Sequence, residues 1–390
     1  MKNSAINNIT AFIGIYNGEK YLDSLFDQIK SQKTNQFNLL VVDNASLDNS
    51  FEIINSWPQK LSNFSFQIIR NPKNLGAGGS LNLNLHHINT PWFTTMHQDD
   101  FYKPNHISTL LELINNADDD ISGVSATMGS MTNEGKKIKS IPRSTWFSSD
   151  LDKYSQFIQN IKSQSIPFPC TAFKTEIYKK TEVLIHNPSF SDTEQTLKML
   201  CHGKFLITSE ETMLYRENPL SESHSLNDYE REIGAYIGLN RVFASETFLN
   251  MIKSVEHEKL FEYAKRIIDS VKERVTDPKL LQVLQIGLLE NILNTIGYEN
   301  KEILKLLSNI YADFSSFQTL SNLSNLGNFP INQTQLKNEL KMNSSTWKKK
   351  FWDKYINSQI PVPNGIHKRL TKGIYKLIFR MKPNHRWSNK

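Results

Sequence analysis

Residues 9–46, ITAFIGIYNGEKYLDSLFDQIKSQKTNQFNLLVVDNAS, decide the fold class. Ile9 to Ile15 is a short apolar, β-branched run that reads as a strand. Behind it Tyr21, Leu22, Leu25, Phe26 and Ile29 recur at three- and four-residue spacing, the period of a helix with one buried face. Phe37 to Val42 returns to strand composition, and Asp43 to Ser46 is a polar loop. Strand, helix and strand at this spacing form a βαβ unit with parallel strands.

The pattern continues outward. A helix runs through Phe51, Ile53 and Ile54, and Phe66 to Ile69 is a third strand. A glycine-rich turn, Gly76 to Gly79, leads to a helix with Leu81, Leu85 and Ile88 on one face. Trp92 to Met96 is a fourth strand, ending at HQDD, residues 97–100. The expected fold is α/β, with a Rossmann-like, mostly parallel sheet. Residues 117–180 mix strand pieces such as Gly123 to Met128 with a proline-rich turn at Pro167 and Pro169. From about Asn227 long amphipathic helices take over, including Glu258 to Val275 and Pro278 to Ile296. This predicts an α/β domain over 1–225, a helical domain over 226–345 and a tail over 346–390.

The chain has 390 residues, 38% of them hydrophobic and 22% charged, the balance of a globular protein with a sizeable core. No apolar run approaches the roughly 20 residues of a membrane-spanning helix. The opening MKNSAINNIT lacks a signal-peptide core, which predicts a chain that stays in the cytoplasm. Cys170 and Cys201 stand apart from any CxxC or HExxH pattern, so they read as buried small residues rather than a zinc or redox site. The net charge of +6 is uneven. From Trp347 to Lys390 there are 12 Lys or Arg against the single acid Asp353, so the preceding 346 residues are net acidic.

In a doubly wound sheet the ligand sits beyond the carboxyl ends of the strands. Here those ends are followed by YNGEKYL (Tyr16 to Leu22), DNAS (Asp43 to Ser46) and HQDD. Acidic groups gathered with few Lys or Arg repel one another, and a divalent cation resolves the conflict. Such a cation also suits a diphosphate leaving group.

IGIYNGEKYLDSLFDQIKSQ (13–32), LLVVDNASLDNS (39–50), NPKNLGAGGSLN (71–82) and FTTMHQDDFYKP (93–104), in this order and spacing, resemble the nucleotide-binding half of glycosyltransferase family 2. The resemblance covers roughly residues 8–225. It implies a GT-A fold and inverting transfer from a nucleotide-sugar. It also implies that Tyr16 and Asp43 hold the nucleobase, usually uracil, that the turn around Gly76 and Gly79 lies near the nucleotide, and that Asp99, third position of a DxD-like motif, binds Mn2+ or Mg2+ bridging the diphosphate. Asn17, Glu19, Asn44 and Gln98 share these loops and are expected to line the donor site. PSFSDTEQTLKML (188–200) resembles the family's general-base segment, with Asp192 at the matching position. LYRENPLSES (214–223) resembles a later segment in which Arg216, Ser221 and Ser223 match. His97 stands where the motif has its first Asp, Leu81 where an Arg is often found, and Asn218 where a His is common.

The same residues also admit plainer readings. Asp99 and Asp100 can simply start a turn, and Asp43 can close an Asx turn. Tyr16 can pack in the core, and Gly76, Gly78 and Gly79 can serve a tight turn alone. Ser191 or Asp192 can cap a helix beginning near Thr193, with Glu194 or Gln195 completing a capping box.

No GxGxxG, Walker loop or Ser-His-Asp pattern occurs, which removes dehydrogenase and hydrolase readings. In the tail, Ile366, Leu370, Ile374, Leu377, Ile378 and Met381 form an apolar stripe ringed by Lys368, Arg369, Lys372, Lys376 and Arg380. That pattern suits an anionic membrane surface, and no nucleic-acid-binding motif accompanies the charge. A packed or solvated helix, or a disordered end, is the alternative. The expected activity is metal-dependent transfer from a UDP-sugar to a glycan or lipid-linked acceptor in bacterial surface polysaccharide synthesis, at the inner face of the cytoplasmic membrane. A catalytically inactive nucleotide-sugar-binding or scaffold subunit is the other reading, and a homo-oligomer is compatible with either.

Overall fold

The computed structural model describes residues 7–138, 149–163, 166–181, 189–218, 226–297 and 300–312. The chain divides into two compact units, Met1–Leu226 and Asn227–Lys390.

The first unit holds one nine-stranded sheet among its described residues. Its parallel block is built from β1 (Ile9–Ile15), β2 (Asn38–Asp43), β3 (Ser65–Arg70) and β4 (Trp92–Thr95), in the order β3-β2-β1-β4. Beyond β4 the sheet becomes mixed through β5 (Phe101–Tyr102), β6 (Ile121–Thr132), β7 (Lys137–Ile138), β8 (Thr171–Lys174) and β9 (Lys204–Glu217). The path runs β4-β8-β6-β9-β5, with β8 antiparallel to both β4 and β6, β6 parallel to β9, and β7 paired to β6.

β1 and β2 are buried on both faces, which is why they read as continuous apolar runs. β3, at the edge, alternates between partly buried and exposed residues. The helix α1 (Glu19–Lys30) crosses between β1 and β2, burying Leu22, Leu25, Phe26 and Ile29 against the sheet, with Phe26 5.3 Å from Trp57 between ring centroids. Gln28, within α1, and Gln32, just past its end, are buried as well, at helical spacing from Leu25 on the buried face. Gln28 Oε1 accepts the N–H of Tyr102, and Gln32 accepts that of Ile107 while donating to Lys103 O. Two glutamines thus satisfy the irregular backbone that follows HQDD, groups that would be costly to bury unpaired.

The glycine-rich segment differs from the expected turn. Gly76 to Gly79 form the first turn of α3 (Gly76–Asn84), and the bend lies before them. The cause is side-chain capture: Asn74 Oδ1 accepts from Gly76 N–H, and Asn44 Nδ2 donates to Gly76 O. Gly76 itself has φ of 70°, the left-handed region that favours glycine.

α7 (Ser191–Leu200) lies almost wholly in the interior, with Thr193 to Leu200 buried. Its Glu194 and Lys198, one turn apart, form a buried ion pair at 3.1 Å. Cys170 and Cys201 are free and buried, and burial pushes the Cys201 thiol pKa up.

The second unit is helical over its described residues. α8 (Asp228–Ala244) starts on a complete capping box between Asn227 and Glu230, and α9 (Glu246–Lys253) is capped by the Ser245 hydroxyl. They are followed by α10 (His257–Val271), α11 (Pro278–Ile296) and α12 (Lys301–Ala312). α11 packs against the other four, which accounts for its burying Leu280, Leu284, Leu288, Ile292 and Leu293 with few polar interruptions. No described helix is long and apolar enough to cross a membrane.

Candidate functional site

The parallel register brings the chemistry-bearing strand ends together. Ile15 is paired with Asp43, and Asp43 with Arg70, so the carboxyl ends of β1, β2 and β3 lie side by side. Backbone bonds carry the ladder one residue further: Asn44 N–H donates to Ile15 O, Asn71 N–H to Asp43 O and Met96 N–H to Phe12 O.

At the β2 end Asp43 is fully buried. Oδ1 accepts from Ser46 N–H at 3.1 Å, so the Asx-turn geometry is present. Oδ2 lies 3.0 Å from Arg70 Nε, yet no hydrogen bond of proper geometry reaches it. A buried carboxylate oxygen left in that state retains the capacity to accept an N–H from a ligand. Arg70 also donates to Ser46 O and stacks 4.4 Å over Phe51. As the last residue of β3, Arg70 carries the same strand-end signal in the sequence as Asp43, its partner on β2.

Tyr16 is 37% exposed and stands outside the core, which removes the core-packing reading. Asn17, in the left-handed region at φ 49°, receives Leu47 N–H on its side chain and donates its own N–H to Ser46 Oγ. Glu19 accepts from both the backbone and the side chain of Asn49. These two residues join the β1 and β2 loops.

Asn44 is more firmly committed. Its Oδ1 accepts from Asn71 Nδ2 and Leu75 N–H, and its Nδ2 donates to Asn74 and Gly76. That exhausts the hydrogen-bonding capacity of the amide. Asn71 and Asn84 extend the network, with Asn84 Nδ2 donating to Asn71 Oδ1 and to Ser80 O. Leu81 is buried, so that position presents no phosphate partner. Gly79 has Leu75 Cβ only 3.0 Å from where its own Cβ would stand, a tight helix-to-loop packing.

The HQDD segment has a different character. Asp100 is buried, accepts from Arg216 N–H at 2.9 Å and lies 3.4 Å from His97 Nδ1. Arg216 Nε donates to Asp99 O and Nη1 to Asn133 O, with the guanidinium 5.4 Å over Tyr21. Arg216, expected at the donor, is thus a latch between β9 and the HQDD loop. His97 N–H donates to the buried Tyr102 hydroxyl. Desolvation disfavours the His97 cation, but the hydrogen bond and charge of Asp100, with Asp99 and Asp192 adding, lift its pKa to about 9. Asp99 has its pKa raised by desolvation first and by the Asp100 charge second. Neither Arg216 nor His97 pairs with the Asp99 carboxylate among the described residues; they engage its carbonyl and Asp100 instead.

Asp192 sits in the first turn of α7, whose N-cap residue is Phe190 with no side-chain cap. The capping-box reading of Ser191 and Asp192 is therefore set aside: the chain enters the helix one residue too early for either to cap it. Burial raises the Asp192 pKa, and the His97 charge acts in the opposite direction. That mutual influence brings Asp192, 92 residues further along the chain than Asp100, into the same electrostatic neighbourhood as HQDD. Asn218, two residues after Arg216, donates its N–H to Arg216 O at 3.0 Å, whereas Ser221, Ser223 and the tail 346–390 lie outside the described residues.

Among the described residues no three His, Cys, Asp or Glu side chains gather closely enough to form a metal cage. A desolvated Asp99 crowded by Asp100 fits one protein ligand of a cation whose remaining ligands come from elsewhere.

Residues 10–181 match the family model of glycosyl transferase family 2. That stretch is a family 2 glycosyltransferase domain. Among curated relatives of this glycosyltransferase domain, the teichoic acid poly(glycerol phosphate) polymerase of Staphylococcus epidermidis is 28% identical over 138 residues, covering 35% of this chain and 18% of that protein. The processive diacylglycerol beta-glycosyltransferase of Mycoplasma pneumoniae is 25% identical over 115 residues, covering 29% of this chain and 34% of that one. The chain thus spans about a fifth to a third of the length of these relatives. Residues 1–349 of S. aureus TarS, solved in complex with UDP-GlcNAc, superpose with a TM-score of 0.50 at 14% identity, covering 78% of this chain and 92% of that one. At that identity the likeness is one of fold, and the fold is GT-A.

Proposed function

We propose that this chain is an inverting glycosyltransferase that uses a nucleotide-sugar, preferably a UDP-sugar, and a divalent cation, Mn2+ or Mg2+. The observation that carries the reading is the placement at neighbouring strand ends of an exposed Tyr16, a buried Asp43 whose Oδ2 faces Arg70 without a hydrogen bond of proper geometry, and a half-buried Asp99, with Asp192 within the electrostatic influence of the same His97. In this reading the base lies against Tyr16 and donates an N–H to Asp43 Oδ2. The diphosphate reaches Asp99, where a bound cation would neutralise the leaving charge.

Asp192 then takes the proton of the acceptor hydroxyl. The hydroxyl oxygen bonds to the anomeric carbon, and the bond from that carbon to the diphosphate breaks on the opposite face. Desolvation supports this role, because a carboxylate with a raised pKa is a stronger base. Asn17, Glu19, Asn44 and Arg216 shape the site through the loops they tie together. With only one carboxylate from HQDD free, cation binding depends on the nucleotide.

The division into a transfer domain over 1–225, a helical domain over 226–345 and a basic tail over 346–390 belongs to the same proposal. The tail brings the enzyme to an anionic membrane surface and a glycan or lipid-linked acceptor, as in surface polysaccharide synthesis. A panel of UDP-, GDP- and dTDP-sugars with Mn2+ tests the reading. Turnover of one donor is the expected result; no turnover, together with no thermal stabilisation by nucleotide plus metal, defeats it. Truncation after Pro361 is expected to release the protein from anionic vesicles.

A further inference from the structure

Gln98 stands between the strand-end histidine and Asp99, half-buried. Its Oε1 accepts the N–H of Tyr16 at 3.0 Å, and its Nε2 donates to the carbonyl of the same residue at 3.1 Å. A single orientation of the amide satisfies both partners. The two bonds occupy the backbone donor and acceptor of Tyr16, as a neighbouring strand residue would. β1 and β4 cease to pair at Phe12 and Thr95, with one last backbone bond from Met96 to Phe12. Gln98 therefore supplies, by side chain, a link between these two chain segments past the end of the ladder.

Gly18 reports the same arrangement independently. Its φ is −104°, a value any residue adopts, so backbone conformation does not demand glycine there. What favours it is space: an added Cβ would stand 2.5 Å from Gln98 Oε1 and 2.9 Å from Gln98 Cδ, so the glutamine amide would have to leave its present position. The glycine makes room for the glutamine.

We propose that Gln98 is a positioning residue that fixes Tyr16 relative to Asp99, so that the nucleobase end and the diphosphate end of the donor site move as one piece. This rests on reading the edge as the nucleotide-sugar site. It reassigns Gln98, which its place in HQDD suggests as a donor contact, to a residue that acts through Tyr16.

The test uses the full chain, with UDP and Mn2+ as probe. Calorimetry compares wild type, Q98M, Y16A and the Q98M/Y16A double variant, and melting compares G18A with G18A/Q98A. Gln98→Met keeps the shape and removes both hydrogen bonds, so it is expected to weaken UDP about ten-fold. In the Tyr16→Ala background the same change is expected to cost less than about two-fold, since its effect passes through Tyr16. Gly18→Ala is expected to lower Tm in the native background and to be tolerated once Gln98 is truncated to alanine. Additive losses in the binding cycle would show that Gln98 touches the nucleotide itself and would overturn the proposal. Equal loss of Tm from G18A with and without Gln98 would overturn it as well. A wild-type chain that binds neither UDP nor GDP removes the donor-site reading and this proposal with it, while the melting pair still reports separately on the clamp.

Discussion

The two sides of the functional edge are held in opposite ways. Around the β2 end, Asn44, Asn71, Asn74, Ser80 and Asn84 satisfy one another and the backbone of the glycine-rich segment, with every polar atom of the Asn44 amide engaged. Around HQDD and α7, Asp100 is buried, desolvation raises the pKa of Asp99 and Asp192, and all three act on a single His97. A saturated amide network keeps its shape without a ligand. A crowded set of carboxylates stores unfavourable charge that a cation and a proton-bearing acceptor can relieve. In the proposed reading the first side supplies rigidity and the second the chemistry.

The largest effect that could break this contrast is on Asp99. Asp99→Ala is expected to lower metal-dependent transfer by about a thousand-fold or more, while leaving Tm unchanged or slightly raised without metal, because a desolvated charge is removed. A clear fall in Tm would mean that Asp99 belongs to the structural side. Asp192→Asn is expected to reduce kcat by about a hundred- to ten-thousand-fold with little change in donor KM. An unchanged kcat would take Asp192 out of the chemistry.

On the rigid side the signature should be stability. Asn71→Ala removes one buried hydrogen bond each from Asn44, Ser80 and Asn84, which is expected to cost about 3 kcal/mol in denaturant unfolding. A cost below about 0.5 kcal/mol would show that water replaces the amide and that the network is not what stiffens the loop.

The smallest effect concerns His106, buried at the start of α4 (His106–Asn115), with Nδ1 3.0 Å from Thr212 Oγ1. Burial lowers its pKa from 6.5 to about 3. Between those values the unfolded chain binds a proton that the folded chain refuses, so stability is intact above about pH 6.5 and falls as the solution is acidified. About 2 kcal/mol should be lost by pH 5. His106→Gln should flatten that part of the profile, and an unchanged slope would exclude His106 as its source.

Much of this was legible in the residues. β1, β2 and β4 announce themselves because strands buried on both faces have to be apolar, and the residues after them mark the functional edge because parallel strands all end on the same side. Asp43, Asp99 and Tyr16 follow from that rule alone. Arg70 was equally legible, being the last residue of the neighbouring strand. Partnership was not. Nothing in the order of residues distinguishes Asn44 spent on Asn71 and Gly76 from Asn44 free for a ligand, or Gln28 buried against Tyr102 from a glutamine in water. A helical period at α7 cannot reveal that Glu194 and Lys198 are interior, because pairing across one turn makes two charged residues tolerable where the pattern predicts solvent.

The sequence by itself determined the strands, the edge on which their polar ends gather, and the residue types available there. These depend on local period and on the one-sidedness of a parallel sheet, both of which are written in the chain. Only the tertiary structure decided which of those polar groups remain free. It turned Gln98 toward Tyr16, Arg216 toward the Asp99 carbonyl, and Asp192 toward the field of His97. Hydrogen-bond saturation and desolvation depend on neighbours up to about a hundred residues away, and those neighbours exist only once the sheet has assembled.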